Sequence, residues 1–437
     1  MILQTLYQQC IKNDVSFFDE FQVIDALIDG NRCLGIVALE IASGQLHVFK
    51  ARAVLFATGG FGRMFSVTSN AYANTGDGPA LLSRCGLPLE DMEFFQFHPT
   101  GIRAMGILIT EGVRGEGGIL RNSKHERFMQ VYAPTLLDLA PRDMVSRAIL
   151  TEIMAGRGIK GDRQIDDYVL LDATHLGKEV IEAKLPDIAD FCRTYIDIDP
   201  AKQAIPVQPT AHYAMGGIPT DVDGRVTTAD RTYEGLYAAG ECACVSVHGA
   251  NRLGTNSLVD LIVFGRRAGQ HIARYVRETD SPRMPAGAAD RARSYVDTLM
   301  DGKSSPAPGS IYKEMQSVMM SGVGVYRNNN DMQNTAKRLE QLRDRFGELR
   351  VQDRENSFNT EILELIELNN LLDLALITAA SALNRTESRG AHSREDFPER
   401  DDTNWLKHTL AWLEGNSVKI GYKPVDIARW QPKPRVY

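Results

Sequence analysis

The sequence VLFATGG (residues 54–60) predicts a short buried strand that ends directly in two glycines. Because glycine has no side chain, the backbone at such a junction can approach a ligand closely. A second junction, GLYAAGE (235–241), ends a strand on Gly240 and Glu241. A carboxylate in this place accepts hydrogen bonds from ribose or ribityl hydroxyls. Each junction alone is more typical of a plain turn, but together they favour a dinucleotide-binding domain.

The pyrophosphate-binding fingerprint G-x-G-x-x-G, which should open such a domain, does not occur before residue 57. FATGGFGR (56–63) contains glycines, but it lies in the wrong place and no amphipathic helix of the expected kind follows it. The sequence is therefore expected to begin inside a nucleotide-binding domain, either because Met1 is an internal start or because the sequence is incomplete.

The pattern of the sequence changes several times along the chain. Apolar runs separated by Asp-Gly and Ser-Gly pairs between residues 23 and 51 predict hairpins. Glycine-rich, charged sequence follows, with helical stretches near 140–156 and 176–192. The spacer DGKSSPAPGS (301–310) predicts a linker before a small helical bundle, and the last fifty residues are loop-rich and highly charged.

The composition is that of an ordinary globular protein, with 43% apolar and 24% charged residues among 437. A net charge of −7 argues against a nucleic-acid partner, which needs a basic face. No apolar run approaches the ~20 residues that a membrane-spanning helix requires, so direct membrane insertion is not expected. The six cysteines include no CxxC pair and no zinc spacing, so no metal site is predicted and a reducing cytoplasm is the default.

Six motifs, in order, make a family resemblance specific. They are QFHPTG (96–101), LITEGVRGEGG (108–118), APRDMVSRAI (140–149), PTAHYAMGGI (209–218), HGANRLGTNSL (248–258) and RTESRGAHSREDFPERDDTNWLKHTL (385–410). Together they resemble the flavoprotein subunits of succinate dehydrogenase and quinol:fumarate reductase. The resemblance extends from Leu6 to Tyr437 and corresponds to the family's sequence after about its first quarter.

The resemblance implies a mixed α/β (α+β) fold. A partial, Rossmann-like FAD-binding domain would be interrupted by a capping domain and followed by a helical bundle and a loop-rich C-terminal segment. His98 and His212 would then lie near the hinges between the cap and the flavin domain. The expected boundaries are 1–96 and 211–286 for the two parts of the FAD-binding domain, 97–210 for the cap, 287–386 for the helical domain and 387–437 for the C-terminal segment.

The implied reaction removes a hydride and a proton from succinate, a dianion whose carboxylates need cations or donors. Arg252 offers a bidentate fork for one carboxylate, and the resemblance adds His98, Thr110 and His212 as substrate-binding residues. It also implies that Arg142 is the proton donor and acceptor, with Glu111 and Arg114 as its relay to solvent. Because a guanidinium has a pKa above ~12, this role requires proton transfer concerted with hydride transfer. An ion pair of Arg142 with Asp143 or a cap acid is the structural alternative.

The implied cofactor is FAD. Asp77 could equally be a turn residue, and Asn256 and Ser257 are also expected to cap a helix that begins near Leu258 and points toward the flavin. The histidine that tethers FAD covalently in many members has no counterpart among the nine histidines here. The predicted cofactor-binding residues are Ala57, Thr58, Gly59, Asp77, Glu241, Asn256, Ser257 and Leu258.

The implied function is that of the succinate dehydrogenase (complex II) flavoprotein, which oxidises succinate to fumarate and passes electrons to quinone. An iron–sulfur subunit and membrane anchor subunits would be its partners, and they would hold it at the cytoplasmic side of the cell membrane. RGAHSREDFPERDD (389–402) is either a solvated charged loop or the docking site for the iron–sulfur subunit, which the resemblance favours. The alternatives are a fumarate reductase, an L-aspartate oxidase-like soluble flavoenzyme, or an inactive N-terminally truncated fragment that purifies without FAD.

Overall fold

The computed structural model describes residues 1–163, 166–301, 308–427, 429 and 431–433. Helices and strands alternate irregularly along the chain, which confirms the mixed α/β class. Most of the linker expected at 301–310 lies outside the described residues. No helix within the described ranges combines the length and apolar character needed to cross a bilayer.

The chain begins with a helix and an antiparallel meander. The Asp-Gly and Ser-Gly pairs form the turns of this meander, as the sequence predicts, and the strand of the first glycine junction follows it. The elements are α1 (Ile2–Lys12), β1 (Phe21–Asp29), β2 (Arg32–Glu40), β3 (Leu46–Lys50), β4 (Val54–Phe56), α2 (Asp77–Arg84) and β5 (Leu89–Glu90).

A separate four-stranded sheet with its own apolar core forms the cap. Its strand order is β6–β9–β8–β7, and it packs against helices that include the predicted helical stretches. β6 and β9 extend through two cores, because Phe95 packs in the first core and Ile102 in that of the cap. The elements are β6 (Phe95–Ile102), α3 (Gly112–Gly115), β7 (Ile119–Arg121), α4 (Met129–Tyr132), α5 (Arg142–Met154), β8 (Val169–Asp172), α6 (Gly177–Lys184), α7 (Pro186–Ile196) and β9 (Ile205–Ala214).

After the cap, the chain returns to the first sheet. The elements are β10 (Ile218–Pro219), β11 (Arg225–Thr227), β12 (Thr232–Ala238), β13 (Ala243–Cys244) and α8 (Asn256–Glu278). β12 runs parallel to β4, with Ala238 beside Phe56, so both glycine junctions leave the same edge of the sheet. α8 has 23 residues, of which only Asp260 and Ala268 are buried.

The predicted helical bundle follows and packs against the first core. α12 lies at its centre and is apolar on nearly all sides, so it is wrapped by other elements and not merely laid on them. Asn328 and Asn359 cap α11 and α12, because each side chain accepts a backbone amide hydrogen bond. The helices are α9 (Asp290–Met300), α10 (Gly309–Gly322), α11 (Asn329–Gly347) and α12 (Thr360–Asn384).

The C-terminal segment is more ordered than a loop-rich sequence suggests. It contains α13 (Asp402–Trp405) and a hairpin of β14 (Lys407–Glu414) and β15 (Ser417–Pro424), and β14 also pairs with β5. The two-residue Gly415–Asn416 turn indicates such a hairpin in the sequence, but it was overlooked.

The charged loop before this hairpin is only partly solvated, because His392 and Arg394 within residues 389–402 are buried, as are two charged residues that directly precede it. Arg385, Glu387, His392 and Arg394 are buried, each at 0–1% exposure. Arg385 pairs with Glu93 at 2.6 Å and with Glu387 at 3.0 Å. Residues 395–399 remain exposed at the surface.

Candidate active site

Two histidines, one fully buried and one partly buried, lie where the cap meets the first sheet. His98 on β6 and His212 on β9 have ring centroids 5.2 Å apart. The amide of Thr100 donates to Nδ1 of His98 at 3.2 Å, so the proton of the neutral His98 ring is placed on Nε2. That Nε2 is buried and has no hydrogen-bond partner among the described residues. A buried donor without a partner is costly, which indicates a place for an acceptor on a ligand.

Burial lowers the pKa of both imidazoles. The pKa of His98 lies well below its usual value, first because the ring is buried and then because it faces His212 and three guanidinium groups. The pKa of His212 falls to about 3, first through burial and then through the charges of Arg252 and Arg142. Both rings are therefore neutral near pH 7, and they act as hydrogen-bond donors, not as cations.

Arg252 supplies one of the positive charges that face this pair. Its guanidinium is almost fully buried and lies 4.4 Å from the centre of the Tyr213 ring. Nη1 donates to the carbonyl of Leu253 and to Oγ of Ser257, both at 3.3 Å. Nε is buried and has no partner among the described residues. A guanidinium that is fixed but not fully bonded is suited to bind a carboxylate.

Arg142, the first residue of α5, supplies the second charge. Its Nε and Nη2 donate to Oε2 of Glu111 at 3.1 and 3.0 Å. Oε1 of Glu111 lies 3.5 Å from Nη2 of the buried Arg114, which also donates to the carbonyl of Asp138. The partner of Arg142 is thus a cap acid and not Asp143, whose carboxylate accepts from Arg147. The three groups of the predicted relay form one continuous chain.

The loop that contains Thr110 lies beside this chain. Thr110 directly precedes Glu111, and its Oγ1 accepts a backbone amide hydrogen bond within its own turn at 3.3 Å. A Cβ at Gly254, two residues after Arg252, would lie 3.0 Å from Oε2 of Glu111 and 3.3 Å from Nη2 of Arg142. The two arginine-bearing segments therefore approach each other at a position that favours glycine. The residues predicted for substrate binding and catalysis lie in one region.

A cavity of about 260 Å³ connects this region to the second glycine junction. Its lining combines His212, a predicted substrate residue, with Glu241 and Ser257, which are predicted cofactor residues. Tyr213 and Leu261 supply apolar surface in the same lining. The expected substrate and cofactor sites therefore adjoin each other.

Glu241 is built to hold a hydroxyl-bearing group. Its carboxylate accepts the amide of Ala214 at 3.1 Å, and burial raises its pKa to about 7. A Cβ at Gly60 would lie 2.4 Å from Oε1 of Glu241, and Gly59 has a φ of +72°, so a side chain at either position is disfavoured. A buried carboxylate beside bare backbone fits the ribityl or ribose hydroxyls of FAD, which would stabilise its charged form.

The other cofactor residues after β4 are also grouped. Ala57 is exposed at the end of the strand, and Oγ1 of Thr58 accepts the amide of Gly78 at 3.2 Å. Thr58 therefore lies beside Asp77, the first residue of α2. The Asp77 carboxylate already accepts hydrogen bonds from three side chains, those of Gln22, Thr75 and Asn370. Its contact with a cofactor stays a prediction.

The start of α8 differs from the expectation. The helix begins at Asn256, its N-cap is Thr255 in a left-handed conformation, and no side chain caps it. The prediction that Asn256 and Ser257 cap the helix is therefore wrong. They lie in its first turn, and Oγ of Ser257 accepts from Arg252. Leu258 follows them, 47% exposed.

Three residues that shape the site were missed in the sequence. Tyr213 lies under the guanidinium of Arg252, while Gln96 and Asn251 connect the two arginine-bearing segments. All three belong to motifs that were identified. Their position beside a predicted site residue was the only signal, because a hydrogen bond between distant residues leaves no local pattern.

One acidic cluster outside the site could in principle hold a metal ion, although none was predicted. Glu90, Asp91 and His408 are buried and place their ligand atoms close together. Lys423, however, places its ammonium 2.6 Å from Glu90, and His408 lies 2.7 Å from Asp91. The cluster thus already contains cationic partners.

Two protein-family models match the chain. The model described as FAD binding domain matches residues 1–258, and the model described as fumarate reductase flavoprotein C-term matches residues 312–437.

Similar proteins cover the chain almost completely. The mitochondrial succinate dehydrogenase [ubiquinone] flavoprotein subunit of Oryza sativa is 43% identical over 100% of this chain and 71% of its own length. The succinate dehydrogenase flavoprotein subunit of Coxiella burnetii is 45% identical over 98% of this chain and 73% of its own. The solved structure of E. coli quinol fumarate reductase matches with a TM-score of 0.93 and 40% identity, over 100% of this chain and 76% of that one.

Proposed function

Because the chain belongs to the family of succinate dehydrogenase and fumarate reductase flavoprotein subunits, we propose that its own site oxidises succinate to fumarate with FAD as the cofactor. The observation that supports this most directly is the group of buried donors formed by His98, His212 and Arg252 opposite Arg142. Fumarate reduction is the same reaction in reverse and would use the same groups.

The substrate is held by charge and by directed donors. Arg252 binds one carboxylate, and its buried Nε gains the partner that it lacks within the protein. Nε2 of His98 and the ring of His212 donate to the remaining carboxylate oxygens, with Thr110 at the edge of the site. Because the histidines are neutral, they add no positive charge to that of Arg142 and Arg252. The two negative charges of the substrate are therefore balanced by these two arginines.

Arg142 moves the proton. A succinate methylene is a very weak acid, so its proton is removed as the neighbouring hydride leaves. Glu111 accepts from Nε and Nη2 of Arg142 at 3.1 and 3.0 Å, so it orients the group and can take one of its protons as Arg142 accepts the methylene proton. Arg114 extends this path, and Glu111 is itself 38% exposed, which opens the path to solvent.

Bound FAD supplies the hydride acceptor. Glu241 would hold its hydroxyl groups, and the segment of Ala57, Thr58 and Gly59 would contact the cofactor, with the bare backbone of Gly59 allowing close approach and Asp77 nearby. At the start of α8 the positive end of the helix stabilises negative charge on the reduced cofactor. The residues placed there are Asn256, Ser257 and Leu258.

The chain is a peripheral subunit of a multi-subunit, membrane-bound assembly of the complex II type. Its partners, in this proposal, are an iron–sulfur subunit and membrane anchor subunits at the cytoplasmic side of the cell membrane. The exposed segment 395–399, which includes a 41% exposed Phe397, rests on the rigid buried arginines and is the proposed contact for the iron–sulfur subunit.

The assignment of Arg142 is tested with the variants Arg142→Gln and Arg142→Lys. Both should abolish succinate-dependent dye reduction in the presence of saturating FAD, because neither replaces the guanidinium held by Glu111. The bound cofactor and its absorbance spectrum should be unchanged. Arg193→Gln, which alters a surface arginine of the cap paired with Asp199 at 3.1 Å, is the matched control and should keep its rate.

Near-normal turnover in either Arg142 variant would contradict the assigned role. Absence of turnover in the unaltered, FAD-saturated chain would instead favour the inactive-fragment alternative.

A further inference from the structure

A hydrogen-bonded ring of side chains joins helix α5 of the cap to the loop before α8 that contains Arg252. Nη1 of Arg142 donates to Oε1 of Gln96 at 3.3 Å, and Nε2 of Gln96 donates to Oδ1 of Asn251 at 2.8 Å. Nδ2 of Asn251 donates to Oδ1 of Asp143 at 2.9 Å, and Asp143 directly follows Arg142 in α5. The ring therefore starts and ends at the first turn of α5 and passes through β6 and the loop before α8.

The ring also fixes the backbone of Arg252. Nε2 of Gln96 donates a second hydrogen bond to the carbonyl of Arg252 at 2.7 Å, and the Gln96 side chain is fully buried. The orientation of each amide is determined by its partners, because a guanidinium only donates and a carboxylate only accepts. Neither Gln96 nor Asn251 can rotate its amide without losing its bonds in the ring.

The two arginines of the site need such a restraint because they repel each other. The pKa of Arg252 is lowered first by burial and next by the charge of Arg142, so the two cations act on each other inside a poorly solvated site. A bound dianion compensates this repulsion. Before the dianion enters, fixed hydrogen bonds must hold the guanidinium groups in their reactive arrangement.

We propose that Asn251 is a positioning residue, which holds Arg142 in register with the carboxylate clamp of Arg252. The inference rests on the proposed function, because it gives Asn251 a part in that reaction. Asn251 touches no reacting atom and acts through Gln96 and Asp143. Since α5 belongs to the cap and the Arg252 loop to the FAD-binding part, the ring couples the position of the cap to the chemical step.

The ring permits an exchange of two residues that keeps every donor opposite an acceptor. In Asn251→Asp alone, two carboxylates face each other and the bond to Asp143 is lost. In Asp143→Asn alone, the new amide oxygen can still accept from Asn251, although the new NH2 then faces Arg147 and that bond is lost. In the double variant, the amide at position 143 donates to the carboxylate at position 251, which still accepts from Gln96. Arg147, which donates to Asp143 at 3.0 Å, can still donate to the amide oxygen.

The unaltered chain, the two single variants and the double variant form a double-mutant cycle. Steady-state succinate oxidation is measured for these four proteins with saturating FAD. Asn251→Asp should lower kcat by about 100-fold, the effect of a misplacement of about 1 Å, with a smaller change in KM. Asp143→Asn should lose less than about 10-fold, and the double variant should regain most of the rate. Asn416→Asp is the matched control, because Asn416 also donates to a carboxylate, that of Asp344, but lies in the exposed β14–β15 turn.

A purely structural role of Asn251 would reduce stability and leave kcat unchanged, and that result would overturn the inference. Losses that simply add in the double variant would overturn it as well. Denaturant unfolding of the same four proteins tests the hydrogen bond between residues 251 and 143 independently of turnover. If this bond exists, the changes in unfolding free energy are non-additive. If the unaltered chain has no turnover, the proposed function fails. Additive changes in unfolding free energy would still refute the hydrogen bond between Asn251 and Asp143.

Discussion

The imidazole rings of His98 and His212 are uncharged in this site near neutral pH. Burial and neighbouring cations hold the pKa of His212 at about 3 and that of His98 well below its usual value. The positive charge offered to a dianion therefore comes from arginines, chiefly Arg142 and Arg252, and not from the histidines. Because arginine does not titrate near neutral pH and FAD hydroxyls would keep Glu241 charged, the affinity of the FAD-loaded protein for substrate should depend little on pH between about 6 and 8.

The lowered pKa of His212 also links folding to pH. The unfolded chain, whose imidazole pKa is near 6.5, binds a proton at pH values where the folded chain does not. The contribution of His212 to stability is therefore complete above pH 6.5 and is lost as the pH falls toward 3. We expect His212→Gln to flatten the dependence of unfolding free energy on pH in this window, as measured by urea unfolding at several pH values.

An exposed residue that does not titrate provides the control for this experiment. Asn416→Gln should leave the pH dependence as it is in the unaltered chain. An identical slope for His212→Gln and the unaltered chain between pH 6.5 and 3 would contradict the lowered pKa.

At the residue scale, the motifs were sufficient to identify the arginines and histidines of the site but not Tyr213 or the amides that hold them. His98, Arg142, His212 and Arg252 come from separate motifs, and the structure brings them together as the family resemblance implies. The ring through Gln96 and Asn251 was not predictable, because the two residues are 155 positions apart and have no distinctive spacing. Burial, which determines the charge of the histidines, also depends on the complete fold.

Among the elements, the β14–β15 hairpin stands out because buried charges attach it to the first core. Arg385 donates to Glu93 and to the carbonyl groups of Trp405 and Lys407, while Thr409 donates to Glu93 at 2.7 Å. Glu93 is fully buried, so its charge depends on these partners. The C-terminal segment is therefore part of the folded core.

Removing Arg385, the positive partner of Glu93, should destabilise the folded chain strongly. We expect Arg385→Met to lower the unfolding free energy by about 3–5 kcal/mol, because it leaves the Glu93 carboxylate buried without its counter-charge. Adding Glu93→Gln should recover part of the loss. Arg400→Met, which removes the more exposed pair with Asp402, should cost less than about 1 kcal/mol. Equal losses for the two arginines in urea unfolding would contradict the central role of Arg385.

Sequence patterns predicted the elements well where periodicity was local. The meander and the helices of the bundle follow from turn pairs and apolar spacing, and the structure confirms them. The predicted start of α8 was wrong because the glycine-rich loop before it contains several residues that could cap a helix. The actual N-cap is Thr255, whose side chain makes no capping hydrogen bond. The hairpin at the C-terminus was obscured by the charged composition around it.

At the scale of the whole molecule, helix α8 exposes a row of apolar side chains. The outer side of α8 exposes Leu258, Val259, Ile262 and Val263, each between 43% and 57% exposed. Leu55, in the neighbouring strand β4, is also 39% exposed. Contiguous apolar surface of this kind is typical of protein interfaces and favours association.

We expect the purified chain to self-associate through this side of α8. The double variant Val259→Glu/Ile262→Glu should remain smaller in sedimentation velocity experiments at equal concentration, because the added charges oppose burial of the surface. Val131→Glu, which changes an isolated exposed valine of the cap, should sediment like the unaltered chain. A strictly monomeric unaltered chain at high concentration would contradict this expectation.

The pairing of β5 with β14 has a consequence for biosynthesis. Asp91 and Glu93 receive their partners His408 and Thr409 from residues that are 316 to 318 positions later in the chain. At about 5–20 residues per second, a ribosome needs on the order of 15–65 s to add that length. During this interval the acidic groups of the nascent chain remain without these partners, and this part of the core can close only after His408 and Thr409 have been translated.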